Sequence, residues 1–126
     1  MHYLKSNKGT LLAIHDESMN SFVAKKIGEC YFGSCDYWTG GYKTTENYGV
    51  SSWRWWSDET KESMSYTSWD WLAGQPDGKG IEERITTDEN GKWHDRSGNE
   101  EHKFICTKKA STGTVFIEKF KNHDYF

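Results

Sequence analysis

The sequence predicts one domain that mixes helix and strand, an α+β fold over residues 1–126. A chain of 126 residues has room for a single core and is too short for two domains. Its first part has a helical pattern, and most of the rest consists of short aromatic-rich runs separated by turn formers. Because aromatics make up 16% of the chain and mean hydropathy is −0.94, ring packing must supply much of the core.

The first two elements are a short strand and a helix. The segment "NKGTLLAIHDESMNSFVAKKI" has an apolar run, then a polar turn, then helical spacing of its apolar residues. Asp16 or Ser18 is suited to cap the helix, and Phe22, Val23 and Ile27 are expected on one face.

Strands and loops are predicted for the middle and end of the chain. The runs "YWTGGY", "SSWRWW" and "MSYTSW" have strand and loop composition, whereas residues 58–91 have hardly any period and predict long irregular loops. Such loops are uncommon in compact domains unless they carry function. Further strands are predicted at "GKWHD", "HKFICTKK" and "GTVFIEKF", the first of them after a turn at "DENGK".

Composition excludes several classes of partner. Nineteen acidic and sixteen basic residues give a net charge of −3, so we expect no nucleic acid or anionic membrane as partner. No apolar stretch approaches the roughly 18 residues of a membrane span, so we expect no membrane insertion. Cys30 and Cys35 could close a small loop in an oxidising compartment, which would leave Cys106 outside any disulfide.

The stretch around the single proline carries oxygen ligands for a hard cation. Gln75 and Asp77 flank Pro76, and a cis peptide before the proline would best place both side chains on one side of the loop. Ca²⁺ prefers carboxylate and amide oxygens. Other donors follow in the sequence at Glu82, Glu83, His94 and Asp95. By themselves these residues also fit an acidic loop that is merely solvated.

Their order resembles that of the C-type lectin-like domain. The pattern "W…GQPD…EE…GKWHD…FIC" is similar to the family's Gln-Pro-Asp triplet, downstream Glu, Trp-Asn-Asp motif and closing Phe-Ile-Cys. "GTLLAIHDESMNSF" resembles its strand and second helix, and "YWTGG" resembles its Trp-Ile-Gly-Leu motif. The resemblance covers roughly residues 3–107 in order.

The resemblance implies a fold and a site. The fold would have two helices, small antiparallel sheets and a long loop that holds calcium, through which a sugar binds. Gln-Pro-Asp implies galactose-type glycans, membership implies secretion, and a homo-oligomer stays open. By position, the side chains that bind both Ca²⁺ and sugar would be Gln75, Asp77, Glu82 and Asp95. Glu83 competes with Glu82, because the spacing is ambiguous by one residue.

Three departures from the family pattern affect this expectation. His94 stands where the family has Asn, and imidazole suits softer divalent ions better than calcium. His94 is therefore a candidate metal ligand or sugar contact, or else a surface residue. Arg84 and Gly98 replace the cysteines that pin the family's long loop, so we expect a more mobile loop without ion. Leu4 replaces the expected partner of Cys106.

The chain order also departs from the family. The tail "VFIEKFKNHDYF" resembles the first strand and early first helix of insect-type members, and it would continue into "MHYLKSNKG". We therefore expect a circular permutation, in which residues 115–120 supply the first strand and pair beside residues 103–107. The alternative is a shortened domain with an extended tail.

The tryptophans divide into scaffold and candidate ligand contacts. Four are expected in the core, namely Trp38, Trp56, Trp69 and Trp93, whereas Trp53 and Trp55 are expected to be freer. Trp71 lies four residues before Gln75 and could stack on a galactose ring, or simply anchor the loop.

An enzyme is not expected. His94 beside Asp95 could orient a base, but no serine or cysteine stands at a recognisable nucleophile elbow. The main alternative to a calcium-dependent lectin is a calcium-independent lectin-like module for protein interactions that has lost sugar binding.

Overall fold

The computed structural model of the chain describes residues 9–30, 35–45, 51–58, 63–77, 83–109 and 115–120. Within these residues one α-helix accompanies seven strands, and a short 3-10 turn spans Trp71–Ala73. The helix α1 spans Glu17–Ile27, and the strands are β1 Thr10–Leu11, β2 Tyr37–Thr45, β3 Ser51–Trp55, β4 Glu83–Thr87, β5 Trp93–Ser97, β6 Lys103–Lys109 and β7 Val115–Phe120.

The seven strands form one mixed sheet, where the resemblance implied small antiparallel sheets. The order is β1-β6-β2-β4-β5, with β3 also on β2 and β7 also on β6. β2 and β6 pair in parallel at Tyr37 and Trp38, and the other strand pairs are antiparallel. Strand β2 is nine residues long and therefore contacts three other strands. Its start pairs with β4 and β6, and its end pairs with β3.

The predicted helix begins as expected. Asp16 is its N-cap, and the Asp16 carboxylate accepts a 2.8 Å hydrogen bond from the Met19 backbone N–H. Val23 and Ile27, four residues apart, are buried against the sheet. Phe22 was expected beside them but is 54% exposed, because one residue along a helix turns the side chain by about 100°.

The expectation of two helices is wrong for the described part of the chain, which contains α1 alone. The other helix was implied by the family resemblance, with its two parts assigned to the tail and the start of the sequence. Residues 1–8 and 121–126, which would form it, lie outside the described residues.

β4 lies inside the range 58–91, for which the sequence predicted irregular loops. Its composition gave little strand signal, but it pairs with β2 on one side and β5 on the other. Ile85, Thr86 and Thr87 are fully buried there. A Cβ on Gly41 of β2 would lie 2.6 Å from Ile85 Cδ1, so a glycine lets the two strands pack this closely.

The core is built on tryptophans, as the composition predicted. However, Trp55 lies in it where Trp56 was expected. The rings of Trp55 and Trp69 both pack edge-on against Trp93, at centroid distances of 5.4 and 5.9 Å. Trp55 is 1% exposed, while Trp56 is only half-buried beside Tyr42. Side chains alternate along β3, so the core receives Trp55 and not its neighbour.

The last strand pairs where it was expected. β7 is antiparallel to β6 from Phe104↔Phe120 to Lys109↔Val115, and Ile117 lies in the core. A disulfide joins Cys30 and Cys35, as the sequence suggested, and Cys106 is a buried thiol in β6. No helix in the described ranges has the length and apolar character needed to cross a membrane.

Candidate functional site

Backbone hydrogen bonds hold the loop that carries the Gln-Pro-Asp triplet against β5. The Trp93 N–H donates to the Ser68 carbonyl at 2.9 Å, and the Asp70 N–H donates to the Trp93 carbonyl at 3.1 Å. The Gln75 N–H then donates to the Asp70 carbonyl at 3.0 Å, which turns the chain back toward the strand. The loop thus places Gln75 next to the middle of β5.

Gln75 and Asp77 both bind Asp95. The Gln75–Pro76 peptide is cis, as predicted. The Gln75 side-chain carbonyl accepts a 2.9 Å hydrogen bond from the Asp95 backbone N–H. The Asp77 backbone N–H donates a 2.9 Å hydrogen bond to the Asp95 carboxylate. Gln75 and Asp95 are buried, and Asp77 is exposed at the rim.

Glu83 adds a buried carboxylate to this group. It is 1% exposed, and neither of its carboxylate oxygens has a hydrogen-bond partner among the described residues. Burial raises the pKa of Glu83, and the nearby Asp95 and Asp77 charges raise it further, while Lys43 partly opposes them. Once protonated, Glu83 can donate a hydrogen bond to Asp95. A buried carboxylate without a donor is a position that a cation would stabilise.

Two other predicted residues remain apart from this group. Glu82 lies outside the described residues, so the question whether Glu82 or Glu83 is the ligand stays open. Trp71 lies in the 3-10 turn before Gln75 and is 71% exposed, which leaves its ring accessible.

The structure places His94 on the other face of β5 from Asp95. Successive side chains alternate along a strand, and the His94 ring contacts Asp70 and Asp36. Its Nε2 lies 3.0 Å from Asp70 Oδ2 and its Nδ1 lies 3.7 Å from Asp36 Oδ1. His94 is therefore not brought together with Gln75, Asp77 and Asp95.

Sequence reasoning missed the residues around His94. No metal or ligand role was predicted for Asp36, Asp70 or Asp88. Asp70 directly precedes Trp71 and Asp36 directly precedes β2, so both lie at element boundaries without a motif of their own. Nothing local in the sequence indicates that they meet.

The possible metal-ligand atoms are spaced differently around His94 and around Asp95, which lie on opposite faces of β5. Two groups of three His, Cys, Asp or Glu side chains in the described ranges have their ligand atoms within 4.8 Å of one another. One is Cys30, Cys35 and Glu89, whose sulfurs are joined in the disulfide; the other is Asp36, Asp88 and His94. Neither group contains Asp77, Glu83 or Asp95, so these three carboxylates are more widely spaced.

Comparison with known families decides which domain this is. The family model described as "Lectin C-type domain" matches residues 3–108. The chain belongs to the C-type lectin domain family. Membership supports a lectin-like function and agrees with the resemblance found in the sequence.

Solved structures with a similar fold include human lithostathine. One lithostathine structure superposes with a TM-score of 0.56 at 23% identity, covering 92% of this C-type lectin domain and 76% of that chain. A second, "crystal structure of human lithostathine to 1.3 Å resolution", gives 0.53 at 23% identity, covering 94% and 70%. At this identity the similarity shows the fold alone. No curated protein matches this C-type lectin domain significantly.

Proposed function

We propose that this C-type lectin domain is a calcium-dependent, galactose-type sugar-binding module, secreted and without catalytic activity. The observation that carries the proposal is the attachment of the Gln-Pro-Asp loop to Asp95 through two 2.9 Å hydrogen bonds. Those contacts bring the residue types that the family uses for ion and sugar to one place.

The chemistry of the donor set fits Ca²⁺. Gln75, Asp77, Glu83 and Asp95 offer only oxygen ligands, which Ca²⁺ prefers at about 2.3–2.6 Å. The Glu83 carboxylate is buried with no donor among the described residues, and Asp95 and Asp77 add negative charge beside it. The site therefore has the charge that a divalent cation would neutralise, and ion binding would draw the carboxylates closer together.

When bound, the ion supplies coordination positions that two neighbouring sugar hydroxyls can occupy. The protein contributes the hydrogen bonds that select the sugar. Gln75 has an amide that can donate as well as accept, whereas the Asp77 carboxylate only accepts. Their order sets which end of the site donates, and this order supports galactose over mannose geometry.

The test is chromatography on immobilised galactose with calorimetry alongside. The protein should be retained in Ca²⁺ and released by a chelator, and Asp95→Asn should lose both retention and Ca²⁺ heat. Asp58→Asn is the matched control, because Asp58 contacts His15 instead of the loop. Retention that is unchanged by the chelator, or no retention at all, would refute the proposal.

If retention is weak, coupling several domains in a homo-oligomer would raise it, and sedimentation can measure the oligomeric state.

A calcium-independent protein-interaction module is the second candidate. This candidate is favoured by the hydrogen bond from the Asp95 backbone N–H to the Gln75 side-chain carbonyl, because it forms without an ion. Trp71 and Leu72 next to them are exposed, as in a protein-binding surface. Absence of both Ca²⁺ heat and Ca²⁺-dependent stabilisation would favour this candidate, since a ligand of the native state must stabilise it.

We also propose that the chain order is circularly permuted within the family. The antiparallel pairing of β7 with β6 supports this, because β7 then takes the place of the family's first strand. A rearranged protein that begins at Val115, runs through Phe126 into Met1 and ends at Lys109 should fold with the same ligand binding. A rearranged chain that is unfolded by circular dichroism would argue for an appended tail instead.

A further inference from the structure

A second group of ligand atoms lies on the face of β5 opposite Asp95. Asp36 immediately precedes β2, Asp88 immediately follows β4, and His94 lies in β5. Because β2, β4 and β5 are neighbours in the sheet, these three positions meet at one end of it. One ligand atom from each side chain lies within 4.8 Å of the others.

His94 presents a buried lone pair to this group. The residue is 9% exposed, and its Nε2 lies 3.0 Å from Asp70 Oδ2. A carboxylate accepts, so we assign the ring proton to Nε2, which leaves the lone pair on Nδ1. That Nδ1 atom is buried and has no hydrogen-bond partner among the described residues.

The distance from Nδ1 to Asp36 fits a shared metal ion better than a hydrogen bond. It is 3.7 Å to Asp36 Oδ1, which is too long for a hydrogen bond. Two ligands of a tetrahedral Zn²⁺, bound at about 2.0–2.2 Å, lie about 3.4 Å apart, which is close to this value. Arg96 binds the other oxygen of Asp36, and this contact orients Oδ1 toward His94.

The third ligand is also held in place. Asp88 Oδ1 accepts hydrogen bonds from the backbone N–H groups of Asn90, at 2.8 Å, and Lys92, at 3.0 Å. These bonds fix the carboxylate at the start of the β4–β5 turn. Asp36, Asp70 and Asp88 place three carboxylates around His94, and the Arg96 guanidinium binds one of them, Asp36. The remaining negative charge favours a bound cation.

We propose that His94, Asp36 and Asp88 bind a divalent transition-metal ion of the Zn²⁺ type, with Asp70 as the residue that positions the imidazole. One imidazole nitrogen with two carboxylate oxygens suits Zn²⁺ more than Ca²⁺, and three protein ligands leave a position for water. A carboxylate on the second ring nitrogen is the usual partner of a zinc-bound histidine. The ion would tie β2, the β4–β5 turn and β5 together, apart from the calcium site.

The experiment is titration calorimetry with Zn²⁺ on the tag-free, disulfide-intact protein saturated with Ca²⁺. One equivalent should bind, and His94→Gln should abolish it. Asp70→Asn should weaken it by about 10- to 100-fold at unchanged stoichiometry, as expected when an outer carboxylate is lost. His15→Gln is the matched control, because His15 also contacts a carboxylate, Asp58, but is exposed and outside the group. It should bind like the original protein.

Two further measurements separate this site from the calcium site and from misfolding. Asp95→Asn should keep Zn²⁺ binding, so the result does not depend on whether galactose is bound. Co²⁺ in place of Zn²⁺ should give the intense visible absorption of a tetrahedral ion, and Asp88→Asn, at a half-exposed turn, should remove it. No binding of one equivalent, equal binding by a folded His94→Gln, or loss with Asp95→Asn would overturn the proposal.

Discussion

The indole Nε1 of Trp93 donates a 2.9 Å hydrogen bond to Asn20 Oδ1, and this contact ties α1 to β5. The Asn20 amide nitrogen donates to the Gly91 carbonyl at 2.9 Å and to Ser68 Oγ at 3.3 Å. One buried side chain therefore joins the helix, the β4–β5 turn and the start of the Gln-Pro-Asp loop. Gly91 has a φ of +73°, and a Cβ there would lie 2.8 Å from the Asn20 amide, so a glycine is required.

Replacing Asn20 by alanine should destabilise the domain. The change removes the acceptor of the buried Trp93 N–H, at a cost of about 1–3 kcal/mol for an unsatisfied buried group, whereas the Gly91 carbonyl keeps its 2.8 Å hydrogen bond from Ser68 Oγ. Urea unfolding measures the loss. The control is Ser21→Ala, because the Ser21 hydroxyl makes an exposed 3.4 Å contact with Glu17. Equal midpoints for the two variants would show that Asn20 does not hold these elements together.

Ile117→Ala should show that β7 belongs to the core. Ile117 is 4% exposed, and removing such a side chain costs about 2–5 kcal/mol in the free energy of unfolding. Phe22→Ala, at a side chain that is 54% exposed, should cost less than about 1 kcal/mol. If both variants unfold at the same denaturant concentration, β7 packs as a dispensable tail.

Glu83 should make the stability of the calcium-free domain depend on pH. Its pKa is raised in the folded state from the usual 4.5, chiefly by burial, so the folded state binds the proton more tightly than the unfolded state. The stability from this group is complete below pH 4.5 and is lost as pH rises through the raised pKa. With Ca²⁺ the dependence should reverse, because protons compete with the ion.

Unfolding in chelator across this pH range, for the original protein and Glu83→Gln, tests the point. Glu83→Gln should flatten the fall in stability, while Glu101→Gln, at an exposed residue, should leave it unchanged. An identical pH profile for Glu83→Gln would mean that this carboxyl does not titrate as expected.

Exchanging amide and carboxylate in the triplet should change sugar preference. The double variant Gln75→Glu with Asp77→Asn reverses which end of the site donates hydrogen bonds, so retention should move from galactose to mannose. Paired affinity columns in Ca²⁺ measure the change. Continued preference for galactose would show that these two side chains do not select the hydroxyl geometry.

Trp71→Ala should weaken galactose binding and leave Ca²⁺ binding unchanged. The ring is 71% exposed, so its loss removes a stacking surface for the sugar without opening the core. Titrations with Ca²⁺ and with galactose separate the two effects. Leu72→Ala is the neighbouring control, since Leu72 is fully exposed but has no aromatic face. Similar galactose affinity for both variants would assign Trp71 to another role.

Local sequence was enough to predict the elements whose signals lie in neighbouring residues. The cap at Asp16 and the spacing of Val23 and Ile27 predict α1, the runs that follow the turn at "DENGK" predict β5 and β6, and alternating side chains predict β7. The order of Gln75, Pro76, Asp77 and the later Trp-led motif predicted the family. The helix and strand signals depend on residues only a few positions apart, where backbone propensity and hydrogen bonding act directly, whereas the family was recognised from the order of motifs along the chain.

Tertiary structure alone decided the remaining features. β4 is a strand because β2 and β5 flank it, and Trp55 is in the core because the pairing of β3 with β2 directs it there. His94 follows a buried tryptophan as the family's Asn does, yet it meets Asp36, Asp70 and Asp88 from distant segments. Strand register determines which face a side chain occupies, and register depends on partners far along the chain. No local pattern carries that information.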